Sequence, residues 1–495
     1  MKFMYNYLLI AVLVLQFGCI QNTENSEETP NILFVIADDQ SWNHLGCYGD
    51  KAVRTPNIDM LANDGARFTN AYCAVSSCSP SRASILTGQD MYRLEEGGIL
   101  TGFIRDKYKV FPSIMENNGY FIGYAGKGYW PKTSGIEGTI EEPLVKRYHK
   151  LLDEEVPKGI SKIDHEASFE EFLKSNTENK PFFYWLGFSE PHIKHPEGLG
   201  LEYGIDTSKI EVPGFYPNTA EIKLGISDYL AEVEYLDKSL GKVLKVLNNY
   251  DLSENTIVVY TSDNGMPFPR AKATNYDYGV RIPLIIKWNG KIKKGRVVDD
   301  PVSLIDLGPT FLNILGISVD EQMTGKNIEG ILRSDKSGIV DATKEFVISG
   351  FEKHCEARTD SLGYPRRAIH TKDWTYIVNY EPDRMPMGDK EVYIEKWGNY
   401  GDIDPSIVKS YFLKEENNPD FQHLFNLNFG KVPGEELYNK NTDSDMVHNL
   451  AYNKEYANIV KELRGKLDDY LVKTNDPRIE GATFWDQYYY DGPPP

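Results

Sequence analysis

From Ile32 to Ile36 the chain reads ILFVI without a polar interruption and then breaks into Ala-Asp-Asp. A short continuous apolar run is the pattern of a strand buried on both faces. The pattern recurs in KPFFYWLGFSEPH at 180–192, in TIVVY at 256–260 ahead of TSDNG, and in RIPLIIKW at 281–288. Between Tyr229 and Leu247, the residues Leu230, Val233, Leu236, Leu240, Val243, Leu244 and Leu247 keep the spacing of an amphipathic helix. Thr55-Pro56 ahead of NIDMLANDG predicts a capped helix that stops at Gly65. Strands alternating with such helices predict an α/β fold, a sheet covered by helices on both faces.

After DLGPTFLNILGI the texture changes. EFVISGFE, RRAIHTK and WTYIVNY are short, separated strand patterns that predict a small antiparallel sheet, followed by a helix from about Lys454 to Val472. The chain is therefore expected to hold a catalytic-sized domain at 29–350 and a smaller C-terminal subdomain at 351–495. At the other end, residues 1–18 carry one charge, Lys2, and an apolar run from Leu8 to Phe17 that is too short for a bilayer span. This is the layout of an export signal, and Gly18-Cys19 resembles a lipoprotein processing site with Cys19 as the lipidated residue. Residues 19–28 would be a polar tether. The expected location is the periplasm or cell surface, with a membrane anchor through Cys19.

Charge narrows the function. Lys+Arg of 54 against Asp+Glu of 73 gives a net charge of −19, which argues against a nucleic-acid binder. An anionic substrate would need a local basic pocket against that overall field. Four cysteines remain beyond Cys19, namely Cys47, Cys73, Cys78 and Cys355, too few for a disulfide framework in a chain this long. Composition leaves open whether any of them pair.

The candidate chemistry lies just past the predicted strands. Asp38-Asp39, His192 and Asp263-Asn264 follow three apolar runs, where ligands bind in open α/β sheets. Either acidic pair alone would read as a solvated turn. If the two strands are neighbours, three carboxylates and an amide meet in one place, a set that requires a cation and selects calcium or magnesium. Cys78 sits in VSSCSPSRASILTG. Ser79 as N-cap, Pro80 in the first turn and Gly88 as stop predict a short helix whose N-terminus favours an anion, with Arg82 adding fixed positive charge. A disulfide half, a metal ligand and a nucleophile all remain open for Cys78 at this point. A soft thiol is a poor partner for calcium.

CSPSR at Cys78–Arg82 resembles the Cys-x-Pro-Ser-Arg signature of the type I sulfatases, whose cysteine is enzymatically oxidised to formylglycine. VSSCSPSRAS with SDNG-MPFP is most similar to the heparan N-sulfatase (sulfamidase) branch, and the likeness runs from NILFVIADD to ELYN and HNLA near the C-terminus. The resemblance implies an alkaline-phosphatase-like fold, a mixed α/β sheet with helices on both faces and a smaller C-terminal antiparallel domain. It implies Ca2+ held by Asp38, Asp39, Asp263, Asn264 and the converted Cys78. Arg82 would orient the hydrated aldehyde, Lys127 would touch both that hydrate and the sulfate, and Lys272 would hold the sulfate. His192 would stand beside the leaving atom, with His192 or Lys272 protonating it. A formylglycine-generating enzyme is the implied maturation partner. His195, three residues on, reads as a substrate-side or surface residue.

Tyr129 departs from the family, which has a histidine two residues after the motif lysine. Its phenol would donate a hydrogen bond to the hydrated aldehyde or the sulfate but does not titrate near neutrality. The implied substrate is a sulfated polysaccharide or its oligosaccharides, algal (ulvan-like) or glycosaminoglycan. Two rivals stand beside this reading: a phosphomonoester or phosphonate monoester hydrolase of the same superfamily, and a non-catalytic glycan-binding lipoprotein.

Overall fold

The computed structural model describes residues 29–129, 137–192 and 194–488. The export signal, the tether and Cys19 lie outside them. No helix among the described residues is long and apolar enough to cross a membrane.

Among the described residues the strands are, in chain order, β1 (Asn31–Ala37), β2 (Ala66–Phe68), β3 (Ala71–Tyr72), β4 (Phe121–Gly126), β5 (Phe182–Gly187), β6 (Thr256–Ser262), β7 (Leu284–Lys287), β8 (Arg296–Val298), β9 (Val302–Ser303), β10 (Phe346–Phe351), β11 (Arg366–Thr371), β12 (Trp374–Asn379) and β13 (Glu435–Asn439). The main sheet has the order β4-β5-β1-β6-β7-β2-β8, β10 to β13 make a four-stranded sheet, and β3 pairs with β9. In the main sheet β4, β5, β1 and β6 run parallel, while β7 is antiparallel to both neighbours, so the sheet is mixed. All three ladders of the smaller sheet are antiparallel.

The unbroken apolar run of β1 follows from its place at the centre. Leu33, Val35 and Ala37 pack on one side with Tyr229, Val233, Leu236 and Leu240. Ile32, Phe34 and Ile36 pack on the other with Leu86, Phe111 and Phe311. Burying an aliphatic or aromatic side chain of this kind contributes about 1.5–3 kcal/mol, so neither face of β1 tolerates a polar residue. The long helix spans Ala220–Asn249, more than two turns longer upstream than the Tyr229–Leu247 pattern. Ile222 and Ile226 continue its buried stripe, and the Thr219 hydroxyl accepts the Ile222 N–H at 3.4 Å.

The helix predicted after Thr55 runs Pro56–Asp64, but Thr55 does not cap it through its side chain. Its Oγ1 accepts from the Gly46 N–H at 2.9 Å and donates to Asp59 Oδ1 at 3.1 Å, tying the helix to the preceding loop instead. The C-terminal helix spans Ala457–Lys473 and packs Leu463, Leu467 and Leu471 into the core of the smaller sheet.

Candidate active site

Register builds the site. Gly126 of β4 pairs with Gly187 of β5, Gly187 with Ile36 of β1, and Ile36 with Thr261 of β6, so four parallel strands end in one row. Lys127, Asp38 and Asp263 each follow within two residues of that row. Gly126 has φ +71, and a Cβ there would collide with the Gly187 carbonyl. The two glycines let the chain close up so that the Lys127 N–H reaches Gly187 O at 2.8 Å.

Asp39 takes φ +67, a conformation that Asp and Asn accept better than most residues. It is held there because its N–H donates to Asp263 Oδ1 at 3.1 Å, while the Asn264 amide donates to Asp39 Oδ1 at 2.7 Å. One oxygen from each of Asp38, Asp39 and Asp263 lies within 4.8 Å of the others. All three residues and Asn264 are buried. Asp38 Oδ1 and Asn264 Oδ1 accept no hydrogen bond. Two orphaned buried oxygens in an all-oxygen cluster fit a hard divalent cation and leave a satisfied polar core as the poorer account.

The helix carrying Cys78 spans Cys78–Thr87 and stops at Gly88 with φ 63. The residue before its first turn is Ser77, not Ser79: Ser77 is extended, and its carbonyl accepts the Ser81 N–H at 3.0 Å. Cys78 therefore occupies the first helical position. Neither small hydroxyl caps the helix. Ser77 Oγ pairs with His354 Nδ1 at 3.0 Å, and Ser79 Oγ accepts the Thr101 N–H at 2.8 Å, so both tie this end to walls built by distant segments.

Arg82 is fully buried. Its Nε donates to Asp263 Oδ2 at 2.7 Å, and one terminal nitrogen donates to the carbonyls of Lys127 (2.6 Å) and Gly128 (3.0 Å). It thereby fixes the Lys127 loop against the acidic cluster. Lys127 Nζ pairs with Asp38 Oδ2. Lys272 Nζ bridges Asp39 Oδ2 at 2.8 Å and Asp404 Oδ2 at 2.7 Å. Burial opposes the Lys272 charge, yet Asp39 and Asp404 hold its pKa well above the ordinary value. Burial would raise the Asp404 carboxyl, and Lys272 with His192 and His354 holds it well below the usual range instead. His192 Nε2 lies 3.6 Å from Asp39 Oδ2 with its side chain 26 % exposed.

A cavity of about 260 Å³ opens here, and Cys78, Asp38, Lys127, His192, Lys272 and Asp404 all line it. Burial pushes the Cys78 thiol up, against the pull of Lys127 and Lys272. Cys47, Cys73, Cys78 and Cys355 are all free thiols, so no disulfide joins Cys78 to another cysteine among the described residues. Every residue singled out for catalysis or metal binding thus meets in one place.

Two neighbours do not act as the sequence suggests. Tyr129 donates its phenol to the Gly102 carbonyl at 2.6 Å rather than offering it to the cavity. His195 Nε2 donates to Pro191 O over 2.9 Å, and the ring packs edge-on against Tyr229 and Phe268, which makes it a packing residue rather than a substrate-side one. Sequence reasoning missed Asp404, Trp397, His354 and Lys396, which line the far wall of the cavity. Trp397 Nε1 donates to Asp404 Oδ1 at 3.1 Å. No motif or periodicity marks these positions.

The family model for sulfatases matches residues 30–317. The chain belongs to the sulfatase family. A model described as the C-terminal part of N-sulphoglucosamine sulphohydrolase matches residues 271–392 of this sulfatase. An ulvan-active sulfatase of Formosa agariphila is 28% identical over 456 residues, covering 90% of this chain and 80% of the relative. The human N-sulphoglucosamine sulphohydrolase is 26% identical over 501 residues and 91% of each chain. The solved structure of BT4656 with its substrate D-glucosamine-2-N,6-O-disulfate superposes with a TM-score of 0.63 at 20% identity, covering 91% of this chain and 99% of that one. This sulfatase has the alkaline-phosphatase-like fold, with its separate antiparallel sheet in the C-terminal region.

Proposed function

We propose that this sulfatase is calcium-dependent and hydrolyses sulfate groups, as O-sulfate esters or N-sulfates, from a sulfated polysaccharide or its oligosaccharides, through a formylglycine made from Cys78. The observation that carries this reading is the position of Cys78, at the first turn of its helix, in one cavity with Lys127, His192 and Lys272 and beside an oxygen cluster with two orphaned acceptors. A protonated, buried thiol is both a weak nucleophile and a poor calcium ligand. Conversion of Cys78 to the aldehyde, hydrated in place, would supply a hard oxygen nucleophile there.

Asp38, Asp39, Asp263, Asn264 and the converted Cys78 would hold the calcium, which when bound supplies positive charge opposite the sulfate oxygens. The chain's own residues do the rest. Lys127 and Lys272 present fixed ammonium groups to the sulfate, electrostatic help that needs no reorganisation during reaction. Arg82, bonded through Nε to Asp263 and through one terminal nitrogen to two carbonyls, positions Lys127. Lys272, held charged between two carboxylates, does not give up its proton readily. His192, at the cavity mouth, is the group that protonates the departing sugar oxygen or nitrogen.

The relatives active on ulvan and on N-sulphoglucosamine favour an algal or glycosaminoglycan substrate. Export by residues 1–18, a lipid anchor on Cys19 and maturation by a formylglycine-generating enzyme complete the proposal. The test uses protein co-produced with such an enzyme. Intact-mass analysis is expected to find the aldehyde at Cys78, and product mass to find sulfate loss from algal or glycosaminoglycan oligosaccharides that stops on chelation and returns with calcium. Full activity with Cys78 as an unmodified thiol, or faster turnover of aryl phosphate than aryl sulfate, would overturn it.

A further inference from the structure

The wall formed by residues 396–404 adds something the sulfate-binding residues do not. Lys396 lines the cavity with its ammonium 4.6 Å from the centre of the Trp397 ring. The other cationic side chains of the cavity are committed: Lys127 to Asp38, and Lys272 to Asp39 and Asp404. Among the described residues Lys396 has no carboxylate within ion-pairing distance. It still senses the site, because Asp404, Cys78, Lys272 and Lys127 all act on its charge electrostatically. Trp397 is locked by its bond to Asp404, so the platform beneath Lys396 is rigid and joined to the Lys272 network.

Charge balance shows what Lys396 is for. Four carboxylates, Asp38, Asp39, Asp263 and Asp404, face Arg82, Lys127 and Lys272. With a divalent cation bound, this core carries a single positive charge, which one sulfate monoester neutralises. Lys396 adds a second positive charge at the mouth, on a chain whose net charge of −19 disfavours the approach of anions overall. A singly sulfated neutral sugar leaves that charge unmatched.

We propose that Lys396, seated on Trp397, is a subsite for a second anionic group of the substrate, a carboxylate or a further sulfate, and that it selects glycans carrying two anions over those carrying one. The subsite rests on the sulfatase reading above, but binding and turnover separate the two. The experiment measures affinity by calorimetry in calcium-loaded Cys78→Ala protein, which holds ligand without turning it over. Three probes are used: D-glucosamine 2-N-sulfate, D-glucosamine-2-N,6-O-disulfate and a disaccharide with one sulfate and one uronate. The two dianions are expected to bind more tightly than the monoanion. In Cys78→Ala/Lys396→Met that preference should shrink by about tenfold, as loss of a charge-assisted contact predicts. Lys396→Arg should retain most of it, and raised salt should erode it in the lysine protein. Loss for the disulfate alone assigns the subsite to sulfate, and loss for the uronate alone assigns it to carboxylate. An unchanged ratio for both dianions, in protein that melts normally, overturns the subsite even if the matured enzyme desulfates. A preference that depends on Lys396, in a matured enzyme that releases no sulfate, overturns the reaction and leaves the subsite standing.

Discussion

The two walls of the cavity are built in different ways. One wall is the row of strand ends, where Asp38, Lys127 and Asp263 follow directly on hydrogen-bonded ladders buried on both faces. The other is the segment 381–405, which holds no helix or strand. It is stapled by side chains instead. Buried Lys409 donates to the carbonyls of Trp397 (2.7 Å), Tyr400 (3.1 Å) and Ile403 (2.8 Å). Arg358 donates to Met385 O at 2.7 Å, Pro386 O at 2.8 Å and Asp402 Oδ2 at 2.6 Å. The first wall gains its precision from backbone register, which every sequence of this fold must keep. The second depends on a few long cations and can be rebuilt without touching the sheet. On the proposals above, reaction chemistry belongs on the first wall and substrate choice on the second.

The largest effect expected from that division is on turnover alone. Asp39→Asn keeps the side-chain shape and tolerates φ +67, but removes one charge from the oxygen cluster. Turnover by the matured enzyme should fall on the order of a hundredfold to a thousandfold, the scale of losing one group aimed at developing charge. Calcium affinity should weaken with it, while the melting temperature should fall far less than turnover, because buried Lys272 keeps Asp404 as its partner. Calcium titration of activity beside thermal melting checks both. A large loss of stability with activity per folded molecule intact would put the strand-end wall on the structural side instead.

Lys409→Met attacks the other wall. Three buried carbonyls lose their donor, and leaving such groups unsatisfied costs roughly 2–4 kcal/mol in total after partial relaxation. Hydrogen exchange is expected to show amides of 394–405 losing protection while those of β1 and β6 keep theirs. KM for a polyanionic substrate should rise more than kcat falls. Equal loss of protection in both walls would show that the segment is not an independent unit.

How much of this was legible in the sequence follows the same split. β1, β5, β6 and β7 announced themselves as apolar runs because a strand buried on both faces has no polar position to interrupt it. Asp38, Asp39, Asp263 and Asn264 could be grouped because they end such runs. Ser79 was misassigned as the cap because Ser77 and Ser79 are both good capping residues, and only tertiary partners, Thr101 and His354, decide what each hydroxyl does. Asp404 was invisible for a plainer reason. It lies 132 residues from Lys272, in a segment with no periodicity, and its partners are side chains rather than a ladder. Tyr129 was noticed as a departure from the family but given the wrong surroundings.

Tyr129 supplies the smallest and most discriminating test, since it sits on neither wall but props the loop between them. Its phenol donates to Gly102 O, next to Thr101, whose N–H in turn donates to Ser79 Oγ in the turn after Cys78. Burial pushes the phenol far above its ordinary pKa, so it stays protonated and relays no proton in the reaction. Tyr129→Phe removes one neutral hydrogen bond and should cost about 1 kcal/mol of stability, with turnover lowered by no more than about threefold and its pH profile unchanged. His192→Ala should lower turnover on the order of a hundredfold, the usual scale for a lost general acid, and change the profile. Tyr129→His places a shorter, titratable ring under a carbonyl fitted to the phenol, so it should lose the same stability without regaining activity. Melting curves and pH–rate profiles of the three variants check the order. An inactive Tyr129→Phe beside an active His192→Ala would move the proton-handling role from the strand-end wall to the loop, and the division between the walls would fail.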